Sequence, residues 1–197
     1  MRGLRKYLTP FAPDQSGAVS VLFELGGIVV ICDAGGCTGN VCGFDEPRWF
    51  EQKSAIFSAG LRDMDAILGR DDRLVTKLAD AAQKVDATFA AVIGTPVPAV
   101  IATDYLALKR MSEKKINLPI LTVDTDGMEL YDKGEEKVFV ELFKTFATEK
   151  YPVEERRIGI LGMTPQDVSD LAAADKIRAC ISRNMVSRRS VTVWATD

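Results

Sequence analysis

The chain of 197 residues contains no histidine. This absence excludes serine–histidine–aspartate and cysteine–histidine nucleophile pairs, zinc sites with imidazole ligands, and the side chain that most often acts as a general base. Redox or metal chemistry in this protein must therefore use thiolates, carboxylates, backbone groups or a bound cofactor.

Other common features are also missing. No apolar run reaches the ~18 residues of a membrane-spanning helix, so we expect no membrane span. A net charge of −3 without a basic surface argues against nucleic acid as a partner. Neither GxGxxG nor GxxxxGK(S/T) occurs, so the nucleotide fingerprints are absent. The basic N-terminus lacks the apolar stretch of a signal peptide, which predicts a cytoplasmic protein with reduced cysteines.

Short apolar segments alternate with longer segments of helical periodicity, which is typical of βαβ units and a parallel sheet. The predicted strands are residues 28–32, 54–58, 89–93, 119–123, 158–161 and 190–196. The predicted helices are residues 18–25, 71–85, 96–115 and 167–184, with a further one around 139–146. Residues 1–13 are predicted to be an irregular leader.

The fold class that follows is α/β. We predict a Rossmann-like three-layer domain with a parallel sheet over residues 1–150, and the beginning of a second, similar domain over residues 151–197. Two strands and one helix cannot cover both faces of a parallel sheet. We therefore expect a truncated product, the front part of a longer protein, or an apolar partner surface that covers the second unit.

Three of the four cysteines lie at equal intervals in one glycine-rich segment: Cys32, Cys37 and Cys42. A buried strand that leads into a glycine-rich loop places soft ligands at the edge of a sheet. The x4 spacing differs from the x2 spacing of zinc ribbons and bacterial ferredoxins, so it indicates no common metal site.

Cys37 is the best ligand candidate, because we predict it in an exposed, flexible loop. The surrounding backbone N–H groups are candidate donors to cluster sulfurs, and they belong to Gly35, Gly36, Thr38 and Gly39. Cys32 ends a buried strand and is either a ligand or a small core residue. As a ligand candidate, Cys42 ranks between Cys37 and Cys32. Cys180 lies on one face of a predicted helix, and we expect that face to be buried in the core.

Three further turns follow predicted strands, at residues 94–98, 124–127 and 162–165, where open α/β sheets bind ligands. The alternative is that Thr95, Thr125 and Thr164 only cap helices or form turns. The paired acids Asp45-Glu46 and Asp71-Asp72 are expected to be solvated.

Five features of the sequence match one known family: SGAVSVLFELGGIVVICDAGGC at 16–37, the set Ser58, Asp63, Asp65 and Leu68-Gly69, VIGTPVPAVIATD at 92–104, PILTVDTDG at 119–127 and IGILGMTPQD at 158–167. Through them the chain resembles the nitrogenase component 1 superfamily, which includes the subunits of the nitrogenase molybdenum–iron protein, cofactor-scaffold proteins and the dark-operative protochlorophyllide reductase. The resemblance covers nearly the whole chain in the right order.

This resemblance implies an iron–sulfur redox protein that holds a cluster at the interface of two similar subunits. Cys37 matches one family cysteine. The family's second cysteine falls at Ala12-Pro13-Asp14 of this chain, where Asp14 offers a carboxylate instead of a thiol. Its third cysteine falls at Thr95 or Val97, and neither of these is a thiol. With two thiolates missing, the resemblance implies a [4Fe–4S] cluster shared across a dimer rather than an eight-iron cluster, with Cys32 and Cys42 as substitutes.

Three hypotheses follow. The first is a nitrogenase-like oxidoreductase fragment, in which an external iron–sulfur reductase delivers electrons through the cluster to a substrate bound between domains. The second is a non-catalytic scaffold or carrier for an iron–sulfur cluster or metallocofactor. The third is a cluster-free binding module on the same fold, in which the cysteines are structural.

Overall fold

The computed structural model describes residues 12–50, 54–148, 157–164, 167–168, 172–184 and 190–193. The strands are β1 (Ile28–Ile31), β2 (Ala55–Ser58), β3 (Ala90–Ile93), β4 (Ile120–Val123), β5 (Arg157–Ile160) and β6 (Ser190–Val193). The first four form a parallel sheet in the order β2-β1-β3-β4, and β5 pairs with β6, also in parallel. The predicted parallel α/β fold is confirmed.

Eight α-helices occur in the described residues: α1 (Asp14–Leu22), α2 (Gly36–Asn40), α3 (Asp63–Leu68), α4 (Asp71–Lys84), α5 (Pro96–Val100), α6 (Tyr105–Lys115), α7 (Tyr131–Phe146) and α8 (Ala173–Asn184). A π-helix (Val41–Asp45) and a 3-10 helix (Pro47–Phe50) lie between α2 and β2. Every helix in this part of the chain is too short or too polar to span a membrane.

The four-stranded sheet is covered on both faces, which explains why its strands are apolar runs rather than alternating ones. Val29 and Ile31 of β1 pack in a core with residues of α1 and α7. Ile28 and Val30 point the other way, into a second core formed with α4 and α6. The result is a three-layer arrangement with β1 and β3 at its centre.

Helices α1 and α7 approach each other closely enough for their backbones to touch. A Cβ on Gly134 would overlap the carbonyl oxygen of Asp14, and a Cβ on Gly17 would overlap that of Tyr131. Only glycine at these two positions permits the contact, which fixes the relative position of the two helices.

Two predicted helices differ from the observed ones. Helix α1 begins at Asp14 instead of Ala18 and ends at Leu22, because Glu24 and Gly26 adopt positive φ angles of 65° and 76°. The single helix predicted over residues 96–115 is two helices, α5 and α6. Ala102, with φ 53°, interrupts it, and the Asp104 carboxylate caps α6 by accepting a hydrogen bond from Ala107 N.

The C-terminal part also differs. Helix α8 begins at Ala173 rather than at Asp167, whose N–H donates instead to the Thr164 carbonyl in a turn. Cys180 is exposed, so its predicted place in the core is wrong; within the described part of the chain, α8 packs mainly against β6. Residues 1–11, 149–156 and 194–197, on which parts of the leader, linker and last strand were predicted, lie outside the described residues. The domain boundary near residue 150 stays a prediction.

Candidate metal-cluster site at the carboxyl edge of the sheet

The residues after β1 form a helical segment rather than the flexible loop predicted from the sequence. Gly35 adopts φ 117°, which lets the chain turn sharply at the end of the strand. Helix α2 follows at once and continues into the π-helix Val41–Asp45. Single π-turns of this kind are frequent at functional sites. We call residues 36–45 the cysteine segment.

Asp33 explains why the cysteine segment is helical. Its carboxylate is buried and accepts hydrogen bonds from the backbone N–H of Thr38 at 2.7 Å and from the Thr38 hydroxyl at 3.0 Å. The Ser58 hydroxyl, at the end of β2, donates to the other carboxylate oxygen. Asp33 thus caps the first turn of α2 and ties it to the neighbouring strand.

The backbone donors predicted around Cys37 are only partly available. Thr38 N–H is bonded to Asp33, and Gly39 N–H donates to the Gly35 carbonyl at 3.1 Å. Gly36 begins the helix, so its N–H has no acceptor within it. Of the three predicted donors within α2, Gly36 is therefore the best placed to bond to a ligand.

One face of the cysteine segment is bare backbone. A Cβ built on Gly36, Gly39 or Gly43 would meet no described atom within 4 Å. These positions are three and four residues apart, so they lie on one side of a helix. This side of the segment has room for a cofactor or for another protein surface.

Cys37 and Cys42 are half-buried thiols on this segment. Burial raises the pKa of the Cys37 thiol, and the charge of Asp33 adds to the rise. Burial likewise raises the pKa of Cys42, with the charges of Glu46 and Asp33 contributing. Both thiols are therefore protonated at neutral pH, and a metal ion must displace the proton to bind.

Cys32 has a different environment, although it lies five residues from Cys37. It is 2% exposed and belongs to the core on the α4–α6 face, whereas Cys37 packs against the core on the α1–α7 face. Burial, with the charges of Asp71 and Asp33, raises the pKa of Cys32 to about 12. Of the two roles that the sequence leaves open for Cys32, this placement favours the core residue.

Thr95 lies beside both cysteines at the end of β3. Its side chain is fully buried and its hydroxyl donates to the Cys32 carbonyl at 2.8 Å. It also lies close enough to Cys37 to lower the pKa of that thiol, against the larger effect of burial. Thr95, one of the two positions matched to the family's third cysteine, is therefore a neighbour of Cys37. Thr125 donates to the Gly94 carbonyl at 2.8 Å, so both threonines bond to the backbone of the turns at this edge, and a ligand at these turns stays a prediction.

Asp14 is buried at the first turn of α1 and both of its carboxylate oxygens accept hydrogen bonds. Asp126 N–H donates at 3.0 Å and Gly127 N–H at 2.8 Å, which joins α1 to the turn after β4. Burial raises the pKa of Asp14, while these backbone hydrogen bonds act in the opposite direction. The predicted ligand role of Asp14 stays a prediction, because a metal would have to compete with these donors.

Asp45 and Glu46 are not the solvated acids expected from the sequence. Both are buried, at 8% and 2% exposure, at the end of the cysteine segment. Ser16 donates to Asp45 at 2.7 Å and Ser20 donates to Glu46 at 2.9 Å, which fastens the π-helix to α1. The buried guanidinium of Arg48 bonds to both oxygens of Glu46. Sequence reasoning missed this network, although the i, i+4 serines of α1 were a signal for it.

Within the described residues, no three histidine, cysteine, aspartate or glutamate side chains are grouped closely enough to hold a metal ion. One chain therefore offers two half-buried thiols at this edge, Cys37 and Cys42. Four-iron clusters use four thiolate ligands. The two half-buried thiols among the described residues are therefore fewer than the ligands that such a cluster needs.

The sequence profile of the family described as nitrogenase component 1 type oxidoreductase matches residues 14–184. The chain therefore belongs to this family. Its structure is also similar to two solved structures described as nitrogenase Cp1, one at pH 5 and one at pH 6.5.

The first of these has a TM-score of 0.71 and 14% sequence identity, and the second has 0.70 and 13%. At this identity the likeness shows the shared fold. The matches cover 100% of this chain but only 41% and 40% of the solved chains, so the chain spans about two fifths of their length. No curated protein matches the chain.

Proposed function

We propose that this chain is part of a nitrogenase-like oxidoreductase, in which Cys37 and Cys42 hold an iron–sulfur cluster of the [4Fe–4S] type between this chain and a similar subunit. Membership of the nitrogenase component 1 family supports the general activity. The ligand assignment is supported by one observation above all: two half-buried thiols share a helical segment that also presents a face of bare glycine backbone.

The surface around the cysteine segment supports a partner subunit. Four large apolar side chains are strongly exposed there: Phe44 at 82%, Ile67 at 74%, Val100 at 85% and Met128 at 78%. Each follows the carboxyl end of a different strand of the four-stranded sheet, so all belong to the same edge. Exposed apolar residues that gather at one edge are typical of a protein–protein contact.

An iron–sulfur cluster, when bound, supplies one-electron transfer at a potential set by its protein environment. The residues of this chain have defined parts in that environment. Cys37 and Cys42 lose their protons on ligation, and Gly36 N–H is placed to donate to a sulfur. The buried charge of Asp33 disfavours added negative charge nearby and so lowers the potential. We further propose that an external reductase donates the electrons and that the substrate binds between domains. The proposed location is the cytoplasm.

The test is to measure iron, acid-labile sulfide and the visible absorption spectrum of protein reconstituted without oxygen. Wild type is compared with Cys37→Ser, Cys42→Ser and the control Cys180→Ser, which changes an exposed thiol on α8. We expect a brown wild type and control, and loss of iron and colour in the other two variants. A colourless, iron-free wild type contradicts the proposal and leaves a cluster-free binding module.

A carrier or scaffold is the second candidate function, and the small number of thiols favours it. A cluster held by only two thiolates per chain at an interface is more easily released than one enclosed by four. Transfer of the reconstituted cluster to an apo-ferredoxin, without turnover when a reductant is added, would support the carrier. Retention of the cluster together with reversible reduction supports the oxidoreductase.

A further inference from the structure

A second group of titratable side chains lies between α7 and the turn that follows β5. Glu135 of α7 is 7% exposed and contacts the side chains of Asp167 and Thr164 in that turn. Its Oε1 atom is buried, and no donor in the described residues bonds to it. A buried carboxylate oxygen without a donor is costly and requires an explanation.

The hydroxyl groups nearby have fixed directions. The Thr164 hydroxyl donates to Asp167 Oδ2 at 2.9 Å. The Tyr131 hydroxyl lies 2.6 Å from Thr164 Oγ1. Since the one proton of Thr164 is used on Asp167, Tyr131 must donate to Thr164. This chain of donors ends on the carboxylate of Asp167, and no donor of the described residues reaches Glu135 Oε1.

Glu135 and Asp167 nevertheless contact each other through their carboxyl groups. Two ionised carboxylates are acceptors only and repel at this distance. If one of them is protonated, it donates to the other, and the bare oxygen of Glu135 is accounted for. One proton between the two side chains therefore accounts for both their contact and the bare oxygen.

The surroundings place this proton on Glu135. The charged groups that act on it are acidic: Asp167 from the turn and Asp132 from α7 itself. From α1, the uncharged Gly17 faces its side chain. Burial, reinforced by Asp167, raises the pKa of Glu135 to about 8. Asp167 already accepts the Thr164 hydroxyl.

We propose that Glu135 and Asp167 share one proton, and that this proton fastens the turn after β5 to α7, so that the contact weakens when the solution becomes alkaline. Glu135 has a higher proton affinity in the folded than in the unfolded protein. Its stabilising contribution is therefore complete at acidic pH and is lost as the pH rises through the folded-state value. The proposal does not depend on the cluster at Cys37.

The test is hydrogen–deuterium exchange of peptides from residues 157–168 between about pH 6 and about pH 9, corrected for the intrinsic pH dependence of exchange. Glu135→Gln supplies a donor that does not titrate and is nearly the same shape. Glu136→Gln is the matched control, because Glu136 is the next residue of α7 and pairs with Lys133 at the surface, at 2.7 Å. Infrared spectra at neutral pH report the carboxyl proton directly.

We expect wild-type protection of this segment to fall with rising pH, by at most about tenfold for each pH unit, until the pH reaches the folded-state pKa of Glu135, and to level off above it, because Glu135 is then ionised in both states. Glu136→Gln should behave like wild type. Glu135→Gln should keep its protection at alkaline pH and lose a protonated-carboxyl band that wild type shows. Protection of wild type that is independent of pH, or infrared spectra that are identical in wild type and Glu135→Gln, would overturn the proposal.

Discussion

The end of β1 and the cysteine segment that follows it differ in almost every respect, although they are adjacent in the chain. Cys32, at the strand end, is inside the core on one face of the sheet, and Cys37 lies half-buried on the other. The turn at Gly35 separates them. Equal spacing of cysteines in a sequence therefore does not make them equivalent: the backbone between them decides which thiols can reach a common ligand.

The two regions are also stabilised by different interactions. β1 pairs with a strand on each side and is apolar on both faces. The cysteine segment is fastened by polar contacts, through Asp33 to β2 and through Asp45 and Glu46 to α1. Substitutions that remove polar contacts should therefore destabilise the cysteine segment, and substitutions that change volume or polarity in the core should destabilise β1.

The largest effect is expected for Arg48→Ala. This change leaves the carboxylate of Glu46, at 2% exposure, without its main cation and should reduce the free energy of unfolding by about 3–5 kcal/mol. Denaturant titration measures it. The control Arg70→Ala removes an exposed pair with Asp72 and should cost at most about 1 kcal/mol. Similar losses in the two variants would contradict a buried role for Arg48.

The next effect compares the two cysteines directly. Cys32→Ser places a hydroxyl in an apolar core and should cost about 1–3 kcal/mol of unfolding free energy. Cys37→Ser, at a half-buried position with a polar neighbour in Thr95, should change it by less than about 0.5 kcal/mol. Denaturation of the metal-free proteins provides the measurement. A larger loss for Cys37→Ser would reverse the contrast drawn between the two regions.

A smaller effect is expected for Ser58→Ala, which removes one donor to the buried carboxylate of Asp33 and leaves both bonds from Thr38. The loss of unfolding free energy should be about 1 kcal/mol. The exposed hydroxyl of Thr76, which donates to the Asp72 carbonyl, provides the control Thr76→Ala, which should have almost no effect. If the two variants have the same unfolding free energy, the hydrogen bond from Ser58 of β2 to Asp33 does not stabilise the protein.

The smallest perturbation is chemical labelling with iodoacetamide, followed by mass spectrometry. Exposed Cys180 should react first, Cys37 and Cys42 more slowly, and Cys32 only on unfolding. Because the pKa values of Cys37 and Cys42 are raised, less thiolate is present at a given pH, and their labelling should accelerate as the pH increases. Labelling of Cys32 at the rate of Cys37 would mean that the strand end opens readily.

The strands and the class of fold were predictable from the sequence because a buried parallel strand is an apolar run bounded by turn residues. β1, β3 and β4 illustrate this, since each was predicted to within one residue. The helical state of the cysteine segment was not predictable from local propensity, because glycine disfavours helices. It depends on the capping contact with Asp33 and on the contacts of Asp45 and Glu46 with α1, which involve residues up to 29 positions apart.

The backbone contact of α1 with α7 at Gly17 and Gly134 has a mechanical consequence. Two helices without side chains between them have no soft layer to deform, so the pair should behave as a single stiff element. In this element α1 holds the cysteine segment through Ser16 and Ser20, and α7 contacts the turn after β5 through the hydroxyl of Tyr131, which lies 2.6 Å from Thr164 Oγ1. We therefore expect a displacement imposed at the cysteine segment, such as the docking of a second subunit, to be transmitted to that turn with little loss of amplitude.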